Sequence, residues 1–384
     1  MQKLIRVTTI PLSLDKLLEN QARFFSQYFE ITLVSSNKNK LQEIANNQGV
    51  GYFTLGLTRN ITPLQDLLCL IRFTFFLIKV KPHIVHTHTP KAGIIGMLAA
   101  FFAGVPTRMH TVAGLPLMES KGIKKRVLYA VERLTYRCAT HVYPNSKGLM
   151  DFIQKKHLSE KTPLQIIGKG SSNGIDTYYF DADAVSNKQE LVYRKQWNIS
   201  KEDFVYIFIG RLVGDKGINE LVIAFEQLAT KIPSIKLLLV GPQESEQDPL
   251  LNATIKTIER NSNIISTGYQ QDVRPFLKMA QVFVFPSYRE GFPNVLLQAG
   301  AMGIPCIVSN INGCNEIIQD QVNGCIIPVK QVRPLLDKMQ FLYDNPSKRI
   351  TFIEQTKVLI AANFERSQYW ELLLAEYKLH KKNV

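Results

Sequence analysis

Short runs rich in β-branched and aromatic residues alternate along the chain with longer runs whose apolar positions recur every three or four residues. This alternation of predicted strands and helices is typical of parallel sheets covered by helices on both faces. In the first half, the pattern predicts strands at residues 5–10, 31–35, 83–87, 142–144 and 164–167, and helices at 14–28 and 92–103.

The same alternation starts afresh at residue 204. It predicts strands at 204–209, 236–240, 282–286 and 306–309, helices at 218–229, 250–260, 273–279 and 295–301, and a helical region from 335 onward with breaks near 345 and 363. A polar stretch at 181–201 is expected to link the halves. The pattern predicts an α/β chain of two Rossmann-like units, whose ligands bind at the carboxyl ends of strands.

The composition and charge of the chain narrow the range of functions that it could have. The 384 residues suggest two domains, and 45% hydrophobic with 20% charged residues excludes wholesale disorder. A net charge of +14 suggests an anionic partner such as nucleic acid, acidic lipid or a phosphorylated ligand, or else serves solubility alone. Five cysteines without CxxC spacing argue against a disulfide scaffold or zinc site and fit a reducing cytosol. The first residues lack the apolar core of a signal peptide, and the apolar run at 67–80 is too short to span a membrane.

A glycine-rich turn at residues 210–217, GRLVGDKG, follows the predicted strand at 204–209 and precedes a helix. Glycines let the backbone approach a ligand, and a helix amino terminus favours phosphate. Arg211 and Lys216 add two positive charges. The turn therefore predicts a diphosphate site that needs no metal, or else a loop with two solvated cations. It is not an NTPase phosphate loop, because Gly217 follows Lys216 where Ser or Thr is required.

A second strand–loop–helix segment, PSYREGFPNVLLQA, spans residues 286–299. In its loop, the carboxylate of Glu290 suits sugar hydroxyls, and the backbone N–H groups of Gly291 and Phe292 suit a phosphate. Gln298 lies about one turn into the predicted helix. Alternatively, Glu290 caps this helix and Gln298 is a surface residue.

Together the two segments resemble the retaining, metal-independent nucleotide-sugar glycosyltransferases of family 4. The resemblance covers nearly the whole chain and includes VHTHTPKAG at 85–93, SNGID at 172–176, GIP at 303–305 and NGCNEII at 312–318. It implies the GT-B fold, with two Rossmann-like domains facing each other across a cleft. The acceptor-binding domain would span 1–178, with a helix at 366–384 packing back on it, and the nucleotide-sugar-binding domain would span 179–365.

The resemblance also implies roles for matching residues. Arg211 and Lys216 would stabilise the leaving diphosphate, and Glu290 would hold the hydroxyls of the donor sugar. The implied donor-binding residues are Gly210, Gly291, Phe292, Pro293, Asn294 and Gln298. Gln298 stands where the family has a second glutamate that binds ribose; glutamine can still donate and accept hydrogen bonds there.

The first half departs from the family pattern at Ala113, which occupies the position of a frequent family histidine. His110 lies three residues earlier and, on a strand, points to the opposite face. It either contacts substrate or packs at a strand end, and Thr111 or the backbone of Ala113 and Gly114 could face the donor instead. The further candidates are His88 and Lys91 in the 85–93 segment.

Four other features also bear on function. His86 and His88 share a strand face, but no carboxylate or cysteine near them completes a metal site, so one faces substrate or both pack structurally. The DxD triplet at 181–183 is expected to be a solvated acidic loop. The basic run at 121–126 follows an apolar loop and suits a membrane surface or an anionic acceptor. The helix at 67–80 contains Arg72 and Lys79 and either adds to that surface or is an ordinary Rossmann helix with a buried stripe.

The sequence thus predicts a glycosyltransferase that moves a hexosyl or N-acetylhexosaminyl group from a UDP-sugar to a lipid-linked or growing surface glycan. No cofactor or metal is expected. The enzyme would be cytoplasmic and peripheral at the inner face of the plasma membrane. The alternatives are a GT-B nucleotide-sugar epimerase and a basic nucleic-acid-binding protein, although no interleaved basic and aromatic stripe, helix-turn-helix or RNP-like signature supports the latter.

Overall fold

The computed structural model describes residues 1–118, 120–244 and 248–380. Two compact units divide the chain: Met1–Gly174 together with the chain from Arg366 onward, and Ile175–Glu365. Within the described residues, each unit contains one six-stranded parallel sheet. The predicted α/β class is therefore confirmed.

The first unit alternates strands and helices from its amino terminus. Its strands are β1 (Gln2–Val7), β2 (Phe29–Ser35), β3 (Gly51–Thr54), β4 (Ile84–Thr87), β5 (Thr107–Val112) and β6 (His141–Pro144). Its helices before the crossing to the second unit are α1 (Gln21–Phe25), α2 (Lys38–Gln48), α3 (Pro63–Val80), α4 (Pro90–Phe102), α5 (Gly122–Cys138) and α6 (Lys147–Lys155). The strand order is β3-β2-β1-β4-β5-β6, so the winding direction reverses between β1 and β4.

The second unit repeats this topology. Its strands are β7 (Phe204–Ile209), β8 (Ile235–Val240), β9 (Ile264–Gly268), β10 (Val282–Phe285), β11 (Cys306–Ser309) and β12 (Gly324–Ile327). Its helices are α7 (Asn187–Gln196), α8 (Ile218–Ala229), α9 (Asn252–Arg260), α10 (Arg274–Met279), α11 (Asn294–Ala301), α12 (Cys314–Ile317), α13 (Val332–Asp344) and α14 (Pro346–Phe364). The order β12-β11-β10-β7-β8-β9 reverses between β10 and β7.

The last described helix, α15 (Arg366–Leu379), belongs to the first unit. Its Tyr377 is buried, and the hydroxyl shares a 2.6 Å hydrogen bond with His86 Nδ1. Trp370 Nε1 donates to Asn173 Oδ1 at 2.7 Å. The helix therefore completes the core on one side of the first sheet. The last four residues of the predicted 366–384 helix lie outside the described residues.

Three sequence predictions were wrong in detail. The helix expected at 14–28 is broken, because a π-helical turn at Ser13–Leu17 is followed by Asn20 with a φ of 60°. Residues 164–167 form only an isolated parallel bridge between Leu164 and Val142. The expected linker at 181–201 contains helix α7, whose buried Arg194 donates to the carbonyl of Met279 at 3.1 Å. That part of the polar stretch is thus packed into the second unit.

Helix α3 has features of both interpretations of its sequence. It has the expected buried stripe, formed by Cys69, Phe73 and Leu77, but it exposes a second apolar face as well. No helix among the described residues is long and apolar enough to cross a membrane.

Candidate active site

The two motifs of the second unit meet at the place where its winding direction reverses. β7 and β10 are hydrogen-bonded neighbours, and the loops that follow them both leave from the carboxyl edge of the sheet. In open α/β sheets this position forms the ligand-binding crevice. The glycine-rich turn follows β7 directly, and the loop containing Glu290 follows β10.

Several contacts tie these two loops together. The backbone N–H of Tyr288 donates to the carbonyl of Asp215 at 2.8 Å, and Arg289 forms a 2.6 Å ion pair with the Asp215 carboxylate. The Tyr288 hydroxyl lies 2.7 Å from both carboxylate oxygens of Glu220 on α8. The relative positions of the side chains that project from the two loops are consequently fixed.

Lys216 and Glu290, one from each loop, form an ion pair with 2.5 Å between Nζ and Oε1. Ser287 Oγ lies 3.0 Å from the same carboxylate oxygen and 3.5 Å from Lys216 Nζ. The side chains of Lys216 and Glu290 are 15% and 16% exposed, whereas Ser287 is fully buried. The arrangement presents an ammonium and a carboxylate together, both of them still open to a ligand.

Arg211 is placed differently from Lys216. Its Nη1 donates to Glu244 Oε2 at 2.7 Å, and the two side chains are 40% and 36% exposed. An ion pair this exposed is weak, so Glu244 competes poorly with a ligand phosphate for Arg211. Each of the two predicted diphosphate-binding cations is therefore paired with a separate carboxylate.

Gly217 allows the close approach of the two loops. It has a φ of 70°, and a Cβ atom there would lie 2.2 Å from the carbonyl oxygen of Pro286. Any other residue would meet both the left-handed conformation and this backbone atom.

We expect Gly217→Ala to lower the melting temperature by about 4 °C or more. Conformational strain and overpacking together cost about 2 kcal/mol or more, and a unit of this size loses about 2–4 °C per kcal/mol. Gly268→Ala is the matched control, because Gly268 has a φ of 66° but no atom within 4 Å of the position that a Cβ would occupy. Calorimetry should show a smaller loss for the control; equal losses would contradict the role assigned to the Pro286 contact.

The segment after β11 stabilises the loop that carries Glu290. Asn312 Nδ2 donates to the carbonyls of Glu290 and Gly291 at 3.0 and 2.7 Å. Because β11 is the sheet neighbour of β10, its following loop reaches the same edge. Asn312 is therefore a positioning residue for Glu290.

The remaining predicted donor-binding residues lie along this loop, at the start of α11 and at the end of β7. Phe292 packs its ring against Phe364 and is buried, so only its backbone remains for a ligand.

Asn294 Oδ1 is buried and has no hydrogen-bond partner among the described residues. Gln298 is half-buried one turn further along α11. Pro293 immediately precedes α11, and Gly210 donates its N–H to the carbonyl of Val240 on β8 at 2.9 Å.

Comparison with known proteins places this site in a family. The model of the glycosyl transferases group 1 matches residues 189–359, and a glycosyl transferase 4-like domain matches residues 25–170. The capsular polysaccharide biosynthesis glycosyltransferase CapM of Staphylococcus aureus is 32% identical over 99% of this chain and 98% of its own length. The chain belongs to the group 1 glycosyltransferases.

Other relatives and solved structures agree with this assignment. An Escherichia coli enzyme, UDP-Gal:α-D-GlcNAc-diphosphoundecaprenol α-1,3-galactosyltransferase, is 29% identical over 83% of this chain and 81% of its own length. The crystal structure of Anabaena HepE in complex with UDP superposes with a TM-score of 0.81 at 16% identity, over 98% of this chain and 100% of that chain. The expected GT-B fold of this glycosyltransferase is thereby confirmed.

In the first unit of the glycosyltransferase, the three candidate histidines, His86, His88 and His110, are buried in the core. His86 Nε2 shares a 2.8 Å hydrogen bond with Thr111 Oγ1, and both residues are buried. His88 Nε2 lies 3.1 Å from the buried guanidinium of Arg6, while His88 Nδ1 has no partner among the described residues. Burial lowers the pKa of both imidazoles well below the usual range, so they are neutral at pH 7.

His110 is also buried, 2% exposed, and its Nδ1 shares a 2.7 Å hydrogen bond with Thr87 Oγ1. A Cβ atom on Gly93 of α4 would lie 2.6 Å from its Cε1, so the imidazole fits closely beneath that helix. Burial lowers its pKa to about 4. This placement supports the packing alternative for His110. Ala113 and Gly114, just beyond β5, are half-buried.

Lys91 at the start of α4 is tied to the chain before and within α3. It forms a 2.8 Å ion pair with Asp66 and donates to the carbonyl of Asn60. Thr58 and Thr62 Oγ1 atoms each lie 3.3 Å from its Nζ. The contacts of Lys91 in this structure therefore hold the 58–66 segment of the glycosyltransferase.

The first aspartate of the DxD triplet contacts its own turn and a lysine of α14. Asp181 accepts a 3.0 Å hydrogen bond from the N–H of Asp183 and lies 3.9 Å from Lys357 Nζ. Among the residues described, no group of three or more His, Cys, Asp or Glu side chains could hold a metal ion. Sequence reasoning assigned no role to Ser287, Asn312 or Glu244. The first two follow β10 and β11 at the ligand-binding edge, which was the available signal.

Proposed function

We propose that this enzyme transfers a hexosyl or N-acetylhexosaminyl group from a UDP-sugar, with retention of anomeric configuration, to a lipid-linked or growing glycan during capsule or other polysaccharide synthesis. The proposal depends chiefly on one observation, the Lys216–Glu290 pair at the winding reversal of the second unit. The S. aureus relative is named for capsular polysaccharide biosynthesis, which supports the proposed pathway. The E. coli relative is named for a diphosphoundecaprenol-linked acceptor, which supports the proposed acceptor class.

In this proposal the second unit binds the nucleotide sugar. The diphosphate replaces Glu290 as the partner of Lys216 and Glu244 as the partner of Arg211. Glu290 then accepts hydrogen bonds from the hydroxyls of the donor sugar, and the unpartnered Oδ1 of Asn294 offers a further acceptor. Two cations neutralise the diphosphate, so the reaction requires no divalent metal.

The proposed reaction breaks the bond between the anomeric carbon and the diphosphate oxygen and forms a bond to the acceptor oxygen on the same face of the sugar. The acceptor proton passes to the departing diphosphate. Catalysis depends on orienting two substrates and on stabilising the negative charge that develops on the leaving group. The first unit binds the acceptor, and the enzyme works at the inner face of the plasma membrane.

We propose uridine as the nucleoside of the donor because HepE, a structural neighbour, has been crystallised with UDP and with UDP-glucose. The test is a thermal-shift screen with UDP-, GDP- and ADP-sugars. A donor present at 100 times its dissociation constant adds about 2.7 kcal/mol of stability. We expect stabilisation by UDP-sugars and transfer to a polyprenyl-diphosphate sugar in the presence of a chelator.

Three results would contradict the proposal. They are stabilisation by another nucleotide series only, loss of transfer in the chelator, and conversion of a UDP-sugar in the absence of any acceptor. The last result would identify an epimerase. Product stereochemistry, read by NMR of the anomeric proton, tests retention separately.

A further inference from the structure

Helix α3 has two apolar faces, and only one of them is buried. Cys69, Phe73 and Leu77 face the core of the first unit. Six large apolar side chains are exposed on the other side, and we call them the outer α3 face: Leu64, Leu67, Leu68, Ile71, Phe75 and Ile78. Leu64, Leu68 and Phe75 are 82%, 67% and 69% exposed.

These six residues form one continuous stripe. Their spacing of three or four residues places them on one side of the helix, over a length of about 21 Å. Phe73 is two residues from both Ile71 and Phe75, which is about 200° around the axis, so the buried and exposed stripes are opposite each other. Singly scattered apolar residues are normal on a protein surface, but a continuous stripe of this size marks an interaction site.

The charges around the stripe are positive. Arg72, Lys79 and Lys81 are exposed on or just after α3. All residues of α3 are described, and its one acidic residue, Asp66, is half-buried and paired with Lys91 at 2.8 Å. An anionic surface would therefore meet cations beside the outer α3 face and no carboxylate from this helix.

The basic run at 121–126 extends this surface. α3 packs against α4, and α4 packs against α5, so the three helices lie side by side on one face of the first sheet. Each follows a strand of the same parallel sheet, so their amino ends lie at the same edge. At the amino end of α5, Lys124, Lys125 and Arg126 are exposed, and so is Ile123, at 80%.

We propose that the outer α3 face, together with the exposed amino end of α5, docks this protein on an anionic phospholipid bilayer. The apolar side chains would enter the boundary between headgroups and acyl chains, and the flanking cations would contact lipid phosphates. A second copy of the chain fits less well, because pairing two outer α3 faces would bring Arg72 and Lys79 of both copies together. The proposal concerns lipid binding alone and does not require the proposed transferase reaction.

Vesicle flotation of the full-length protein tests the docking. Vesicles of equal parts phosphatidylglycerol and phosphatidylcholine should bind it, pure phosphatidylcholine should bind it weakly, and added salt should weaken binding to the anionic vesicles. Leu68→Ser with Phe75→Ser should weaken binding at least about tenfold, since the apolar contribution is lost. Lys124→Glu with Lys125→Glu should do the same through charge.

Matched controls come from the second unit. Ile350→Ser with Val358→Ser removes two side chains of similar exposure, 57% and 70%, from α14, and Lys231→Glu with Lys256→Glu reverses two exposed charges. Both controls should bind like the wild type. No binding of the wild type to anionic vesicles, or equal binding by the Leu68/Phe75 variant, would overturn the proposal. A dimer in sedimentation velocity that Phe75→Ser abolishes would assign the face to a second copy instead. Because these vesicles contain no glycan acceptor and the assay measures no transfer, either failure would count against the proposed place at the plasma membrane but would leave the proposed transferase reaction standing.

Discussion

Lys216→Ala should lower turnover about 100-fold or more, because one preorganised positive charge at a developing anion is worth about that much. Lys216 Nζ is held between Glu290 and Ser287, at 2.5 and 3.5 Å, at the ligand-binding edge of the second sheet. The binding of UDP should weaken too, since the ammonium would contact the diphosphate in the absence of any reaction. Steady-state kinetics and calorimetric titration with UDP measure the two effects. Lys231→Ala, which removes an exposed lysine from the same unit, should change neither.

A double-mutant cycle distinguishes this role from a structural one. If Lys216 served only to neutralise Glu290, removing it from a Glu290→Gln enzyme would have no further cost. If Lys216 binds diphosphate, the loss of UDP affinity persists in that background. Near-wild-type turnover of a folded Lys216→Ala enzyme, or a cycle in which the lysine has no effect after Glu290→Gln, would remove Lys216 from the catalytic machinery.

Glu290→Ala should reduce the rate with the natural donor about 10- to 100-fold and reduce discrimination between donor sugars. Each hydrogen bond to a charged group contributes about 1.5–3 kcal/mol, and Glu290 would accept such bonds from the sugar. UDP has no sugar beyond its ribose, so its affinity should hold, or rise because Lys216 has lost its competing carboxylate. Initial rates over a panel of UDP-sugars, with UDP titrations beside them, provide the measurement.

Glu290→Gln is the conservative comparison. The amide retains a hydrogen-bonding oxygen without the charge, so the variant should fall between the wild type and Glu290→Ala. Unchanged rate and donor preference in Glu290→Ala would rule out sugar binding by this residue. A parallel loss of UDP affinity would indicate that the loop had lost its shape, and would contradict the separate role assigned to the carboxylate.

Much of the fold could be predicted from hydrophobic periodicity. The strand at 204–209, the helix at 218–229 and the strand at 306–309 have the predicted bounds, because each is a well-defined apolar or amphipathic run. Strands β3 and β9 were missed, since Gly51–Thr54 and Ile264–Gly268 are short and contain glycine and polar residues at the edges of their sheets. Helix α7 was missed because its sequence is mostly polar. Its apolar contacts, those of Tyr193 and Trp197 with Phe276, are tertiary and leave no pattern in the sequence.

The site was predictable to a different degree in each unit. In the second unit the order of strand, loop and helix placed Lys216 and Glu290 at one sheet edge, and the structure pairs them. The order of elements did not predict that the fully buried Ser287 would contact both Lys216 and Glu290, because a hydroxyl in a loop has no sequence pattern. In the first unit, alternation along β5 separated His110 from Ala113 but could not show that Gly93 leaves room for the imidazole under α4. Such fits depend on residues brought together from distant elements.

The placement of α15 has a consequence for biosynthesis. Tyr377 and its neighbours complete the core of the first unit, yet they are translated after all of Ile175–Glu365. A nascent chain therefore carries a first unit without its final helix while the ribosome makes the next 191 residues. The inserted unit can fold as soon as it emerges, whereas the first must wait until α15 has been made, with the apolar surface that packs on Tyr369, Leu373 and Tyr377 open to chaperones until then.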